Sequence, residues 1–143
     1  MPSVDRIREF LLTLPHVVET MQWGENLVFW VGDKAIGGKM FALMSLDQSM
    51  KGIFSYPAGP ERFAELVEQE GIIPAPYFAR IHWVAVQHWN VFRPMEWEQE
   101  LRAAHQITFD KLPPKTRKLL ALPLREQKRL IAENRRKKPS KKE

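Results

Sequence analysis

Apolar residues at Ile7, Phe10, Leu11 and Leu14 recur at i, i+3, i+4 and i+7, the spacing of a single helical face. That spacing predicts a helix over residues 4–14, with Ser3 as its N-cap and Pro15 as its stop. From residue 17 to residue 56 the period changes. Short apolar runs rich in Val, Phe, Trp and Met are broken at Trp23-Gly24-Glu25, at Gly32-Asp33 and at Asp47-Gln48-Ser49. They read as three strands joined by hairpins. Gly32-Asp33 has the composition of a two-residue turn after a strand at 27–31. Gly37-Gly38, placed inside the second strand, suggests a bulge or a close backbone approach. A strand at about 51–56 ends at Pro57.

Gly59-Pro60 opens a second helix, with Phe63, Leu66 and Val67 as its apolar stripe and Gly71 as the residue just past its end. Pro74 and Pro76 then hold an extended crossing, residues 81–87 read as a strand, and another is placed at 88–92. Pro94 starts a third helix, with Trp97, Leu101 and Ala104 on one face, and Leu112-Pro113-Pro114 breaks it. A helix from about Lys115 carries Leu119, Leu120 and Leu122, and a last one starts at about Leu124. Antiparallel runs interrupted by helices argue for an α+β two-layer sandwich rather than a parallel α/β sheet. The chain divides into an α+β body at 1–118, a helical extension at 119–134 and a basic tail at 135–143 expected to be disordered.

At 143 residues the length fits one domain. No apolar run reaches the length of a membrane span, and the N-terminus shows no secretory pattern. With no cysteine there is no disulfide, thiolate metal site or Cys nucleophile, and a cytoplasmic setting is the expectation. The charge is unevenly placed. Residues 111–143 hold 13 Lys and Arg against 3 Asp and Glu, a net of +10, whereas residues 1–110 hold 9 against 14, a net of −5. A basic end of this kind attracts polyanions, nucleic acid first. The competing reading is a solvated tail that serves solubility.

Four stretches carry a resemblance: Trp23-Gly24-Glu25, Gly38-Lys39-Met40-Phe41-Ala42, the segment from Gly71 through Val84 (with Pro-Ala-Pro-Tyr followed by His-Trp-Val), and Leu112-Pro113-Pro114-Lys115. In this order, over roughly residues 4–118, the chain resembles the bacterial MmcQ/YjbR-like family. The resemblance implies a secretion-chaperone-like fold of helix, three strands, helix, two strands and helix, here with an extra C-terminal helix. It also implies DNA binding of the "double-wing" kind, with paired hairpins set against a duplex. Two positions depart from the family. Ser55-Tyr56 stands where a lysine is common, and Ala104-His105 stands where a Ser-Tyr pair is frequent.

Nucleic-acid binding needs cations spaced to meet phosphates, with aromatics near them. On the body, Lys39, Lys51, Arg80 and His82 are the candidates, with Tyr77 as a further partner contact. Trp83 reads as core. On the basic end the candidates are Lys115, Arg117, Lys118, Arg125, Lys128, Arg129, Arg135, Arg136, Lys137 and Lys138. Of these, positions 125, 128, 129 and 136 fall near one face of a helix. The spacings of catalytic, zinc and dinucleotide motifs are missing, so no catalysis, metal or cofactor is expected. The function expected is weak, sequence-independent DNA binding through backbone phosphates. The alternative is an adaptor for a protein or small ligand, with Trp30, Trp89 or Trp97 exposed.

Overall fold

The β-branched and aromatic runs between residues 17 and 86 form one antiparallel sheet, and the 3.6-period segments pack on it. The computed structural model describes residues 4–46 and 52–137. In chain order the elements are α1 (Val4–Thr13), β1 (Val17–Gln22), β2 (Asn26–Val31), β3 (Lys39–Ser45), β4 (Phe54–Pro57), α2 (Pro60–Leu66), β5 (Ile72–Pro74), β6 (Trp83–Val86), α3 (Pro94–Asp110), α4 (Pro114–Leu120) and α5 (Leu124–Lys137). The six strands lie in the order β1-β2-β3-β4-β6-β5, each antiparallel to its neighbours.

The α+β class and the antiparallel sheet match the sequence reading, but among the described residues four strands rather than three precede α2. Val17–Gln22 is an edge strand of its own, turned back by Trp23-Gly24-Glu25. Gln22 pairs with Asn26, so the loop holds three residues, and both Trp23 (φ 49°) and Gly24 (φ 83°) are left-handed in it. Gly32-Asp33 is not a two-residue turn. The Asp33 carboxylate accepts the Ala35 N–H at 2.8 Å and caps a single 3-10 turn, Lys34–Ile36, so the connection runs over residues 32–38. Gly37 closes that turn at φ 90°, and a Cβ there would lie 2.3 Å from the Thr116 hydroxyl. Of the two readings of Gly37-Gly38, the close backbone approach holds, since a Cβ on Gly38 would lie 1.8 Å from the Gly32 carbonyl oxygen, while the bulge falls elsewhere: Phe29 pairs with Ala42 and Trp30 with Met40, which leaves Phe41 as the extra residue.

Two further boundaries differ. α2 ends at Leu66, short of Gly71; Gly71 (φ 91°) instead leads into β5, where a Cβ would meet Val91 at 2.7 Å. Residues 88–92 hold a 3-10 turn, Trp89–Val91, and the partner strand of β6 is the short Ile72–Pro74.

One sheet face carries the main core. Phe29, Val31, Phe41, Met44, Phe54 and Tyr56 meet Leu11 of α1 and Trp97, Leu101 and Ala104 of α3. Trp97 sits at its centre, with Phe92, Trp89 and Phe54 rings 5.2, 5.4 and 5.6 Å away. Its indole N–H donates to the Trp89 carbonyl at 3.0 Å, so the polar edge of this large ring is satisfied. A polar strap joins three elements over this core. The Tyr56 hydroxyl donates to Glu100 of α3 at 2.9 Å, and Arg62 of α2 donates to the same carboxylate at 3.0 Å. Burial, first of all, pushes the Tyr56 hydroxyl pKa well up, and the Glu100 charge adds to it. The opposite sheet face carries a small cluster of Trp83, Ala85 and Ala75 with Met40, Leu43, Ile73 and Phe78, to which no described helix contributes.

The C-terminal helices dock on the body. Leu112 and Leu120 enter the main core, and the Thr116 hydroxyl donates to the Ile36 carbonyl at 2.7 Å. α5 buries no residue fully. It is held by Ile131 against the core, by Asn134 donating to the Ala35 carbonyl at 3.0 Å, and by Arg135 donating to Asp33 at 2.6 Å. The tail expected from residue 135 is therefore helical as far as Lys137.

Candidate nucleic-acid interface

The antiparallel order fixes which loops share an end of the sheet. Val31 pairs with Lys39, and Pro57 with Trp83, so the β2–β3 connection (32–38) and the β5–β6 connection (75–82) emerge at the same end. Their hairpin axes lie three strand spacings apart, about 14 Å.

The first tip presents Lys34 and, at the start of β3, Lys39, both exposed. The Lys34 ammonium lies 5.9 Å from the centre of the Trp30 ring, within cation–π range. Lys39 alternates with Met40 and so points away from the Trp83 cluster.

The second tip is built from a turn with Pro76 at its second position and Tyr77 at its third. The Phe78 N–H closes it on the Ala75 carbonyl at 3.2 Å. Tyr77 has φ 69°, the left-handed geometry that a type II turn demands at that position and usually gives to Gly or Asn. Its side chain is 94% exposed. A 3-10 turn, Ala79–Ile81, follows and carries Arg80 at the surface. His82, at φ 64°, ends that turn and sets its ring edge-on to Phe63, with centroids 5.6 Å apart. Trp83 is 4% exposed, as the sequence reading placed it.

α4 and α5 flank the first tip, since both bond to its backbone. Lys115, Arg117 and Lys118 are exposed on α4 while Thr116 faces inward. On α5 the docked side is Gln127, Ile131 and Asn134, so Arg125, Lys128, Arg129 and Arg136 form an outward basic face, joined by Lys137 at its end. Two of the candidate cations are already engaged. Arg129 binds Glu126 and Glu133 at 2.8 and 2.6 Å. The hydrogen bond with Glu126 raises the guanidinium pKa and lowers the carboxyl pKa. Arg135 is the α5 latch on Asp33, which it meets at 2.6 Å. Among the described residues, Arg125, Lys128, Arg136 and Lys137 carry no ion pair.

Lys51 and Lys138 lie outside the described residues. Leu46 and Gly52, the described neighbours of the Lys51 segment, sit at the other end of the sheet from Lys39 and Arg80. The sequence reading missed Lys34, because a two-residue turn left no room for it, and missed Asp33, Asn134 and Arg135 as a docking set. The Asp33-Lys34-Ala35-Ile36-Gly37 order, a cap, one turn and a glycine stop, was the available signal. Of the tryptophans weighed as exposed, Trp97 is buried, Trp89 packs on the core and Trp30 is half-buried, donating to Thr20 at 2.9 Å. Trp23 is the exposed one, at 59%.

A model of the family described as YjbR matches residues 12–107. Among solved structures, the crystal structure of Deinococcus radiodurans protein DR2400, with a domain of the family DUF419, is similar at 30% identity. It covers 86% of this chain and 91% of its own, with a TM-score of 0.73. No curated protein matches.

Proposed function

The chain belongs to the YjbR family, and from that premise we propose that it is a non-catalytic, cytoplasmic DNA-binding protein that grips backbone phosphates with little sequence preference. One observation carries the reading: both hairpin tips and the cationic sides of α4 and α5 occupy one end of the sheet. Lys34 and Lys39 mark one tip, Arg80 marks the other, and the outward face of α5 extends the positive surface beyond the first. A spacing of about 14 Å between the tips is comparable to the width of a B-DNA major groove, about 12 Å. Lysine and arginine on such a surface neutralise phosphates and release counterions, a term blind to sequence. The cysteine-free sequence fits a reducing compartment, and no described helix is long and apolar enough to cross a membrane.

The test replaces Arg125, Lys128, Arg136 and Lys137 by Gln. These side chains make no contact that the fold needs, so the melting temperature should hold while duplex affinity at low salt falls by about tenfold or more. Equal affinity of the variant and the parent chain for duplex would contradict the assignment of this face.

A specific observation favours the adaptor reading as a second one. At the opposite end of the sheet Met21, Trp23 and Leu46 are exposed around the β1–β2 turn, with the Leu46 N–H bound to the Glu25 carbonyl at 2.8 Å. An apolar group of this kind suits a protein partner. In that case Trp23→Ala abolishes retention of a stoichiometric protein from nuclease-treated lysate, and the α5 variant leaves it intact.

A further inference from the structure

Tyr77 is an aromatic side chain with no packing role: it is 94% exposed, whereas large aromatics in small domains are ordinarily used to fill the core. It also occupies a backbone position that disfavours it. At φ 69° in the third place of a turn, a residue with a Cβ is strained where Gly would not be. The turn that carries it is rigid. Pro76 fixes one torsion, and the Ala75 N–H bonds the Trp83 carbonyl at 3.0 Å. The Trp83 N–H returns to the Phe78 carbonyl at 3.3 Å, and the Phe78 ring lies 5.2 Å from that of buried Trp83. A strained, solvent-facing ring on a fixed loop is arranged for contact with something outside the chain.

The chemistry around the ring narrows the partner. Arg80 is exposed three residues on, and from Gly71 through Met95 the sequence contains no Asp or Glu. A π-face beside a cation, with no carboxylate along the segment, suits a polyanion whose own flat groups are accessible. A duplex hides its base faces by stacking; a single strand offers them.

We infer that the 75–82 loop is a base-stacking platform for single-stranded nucleic acid, in which the Tyr77 ring covers an unpaired base and Arg80 meets a neighbouring phosphate. The inference rests on the nucleic-acid reading above and names the strand state that this tip selects. Because the loop is held in place before binding, little ordering cost is added on contact. The α5 face supplies the charge term for either strand state, and Tyr77 supplies a term only for the single strand.

The test measures anisotropy of a labelled, unstructured oligothymidine and of its duplex with the complementary strand, at one salt concentration, with the full chain and with Tyr77→Ala, Tyr77→Trp and Tyr77→Gly. Loss of one stacked base weakens single-strand binding by about 5- to 150-fold. Tyr77→Ala and Tyr77→Gly should show that loss, Tyr77→Trp should restore binding, and duplex affinity should be unchanged in all three. Tyr77→Gly should also melt at a higher temperature than the parent, which excludes misfolding as the cause of its loss. Single-strand affinity unchanged in Tyr77→Ala, with duplex binding still present, overturns the inference and leaves the charge-based reading standing. If the full chain binds neither strand at low salt, both fail together.

Discussion

Among the described residues, four other than glycine take a left-handed backbone: His16, Trp23, Tyr77 and His82. Each sits at a loop or turn, and three of them are at the sheet end that carries the candidate interface. His16 has a measurable consequence. Burial lowers its pKa and the nearby His105 lowers it further, while His105 itself is tied to the Pro15 carbonyl at 2.8 Å. The unfolded chain, with His near 6.5, therefore takes up a proton before the folded one. Stability from this group is complete above about pH 6.5 and falls as the pH drops through that value toward the lower folded pKa. Urea unfolding should show a lower midpoint at pH 5.5 than at pH 7.5, and His16→Asn, which tolerates the backbone angle, should reduce that difference. An identical pH dependence in the variant would assign the effect to other groups. At this scale the sequence was informative for Trp83, because a tryptophan leading an apolar run has few alternatives to burial. It offered Tyr77 as a partner contact but not its exposure, since nothing in Pro-Ala-Pro-Tyr-Phe says which of two adjacent aromatics faces solvent. The turn decides, by putting Tyr77 at the left-handed position and Phe78 against Trp83.

Among the described helices, α5 is the one whose attachment is thinnest. It buries no residue fully, and Asp33 serves it twice, capping the 3-10 turn that α5 rests on and pairing with Arg135. The cap contributes about 0.5–2 kcal/mol, and an exposed ion pair about 0.2–1 kcal/mol. Asp33→Ala should thus loosen two contacts at once. Hydrogen exchange should accelerate across α5 and residues 34–36, while amides of β2, β3 and α3 keep their protection. Uniform acceleration over the whole chain would mean that α5 does not open as a separate unit. The helices were legible from periodicity and proline stops, and the C-terminal pair was placed correctly at about Lys115 and Leu124. Strands near glycine were not. Gly32, Gly37 and Gly38 carry the chain around a capped turn, and a turn of that kind has the same composition as a hairpin followed by a bulged strand. The polar edge strand β1 was absorbed into the count for a related reason: none of its residues is fully buried on either face, so its apolar alternation is weak.

For the whole molecule, the net charge of +5 is the sum of an acidic body and a basic end, and the fold determines where those charges meet. The residue types of the candidate site could be read from the chain, as could the charge asymmetry. Their meeting place could not, because strand order is set by pairing between segments up to 30 residues or more apart. The sheet order gathers Lys34, Lys39 and Arg80 at one end and seats α4 and α5 there, and the same order moves the neighbours of Lys51 to the other. The central claim is that this end binds nucleic acid through phosphates, with the outward face of α5 contributing the largest single share of the charge. Its most direct test is the slope of log K against log salt for a duplex, measured for the full chain and for the variant with Gln at positions 125, 128, 136 and 137. At about 0.9 per phosphate neutralised, the slope of the variant should be shallower by about 3 to 4 units. Equal slopes, or no binding by the full chain even at low salt, would contradict the account.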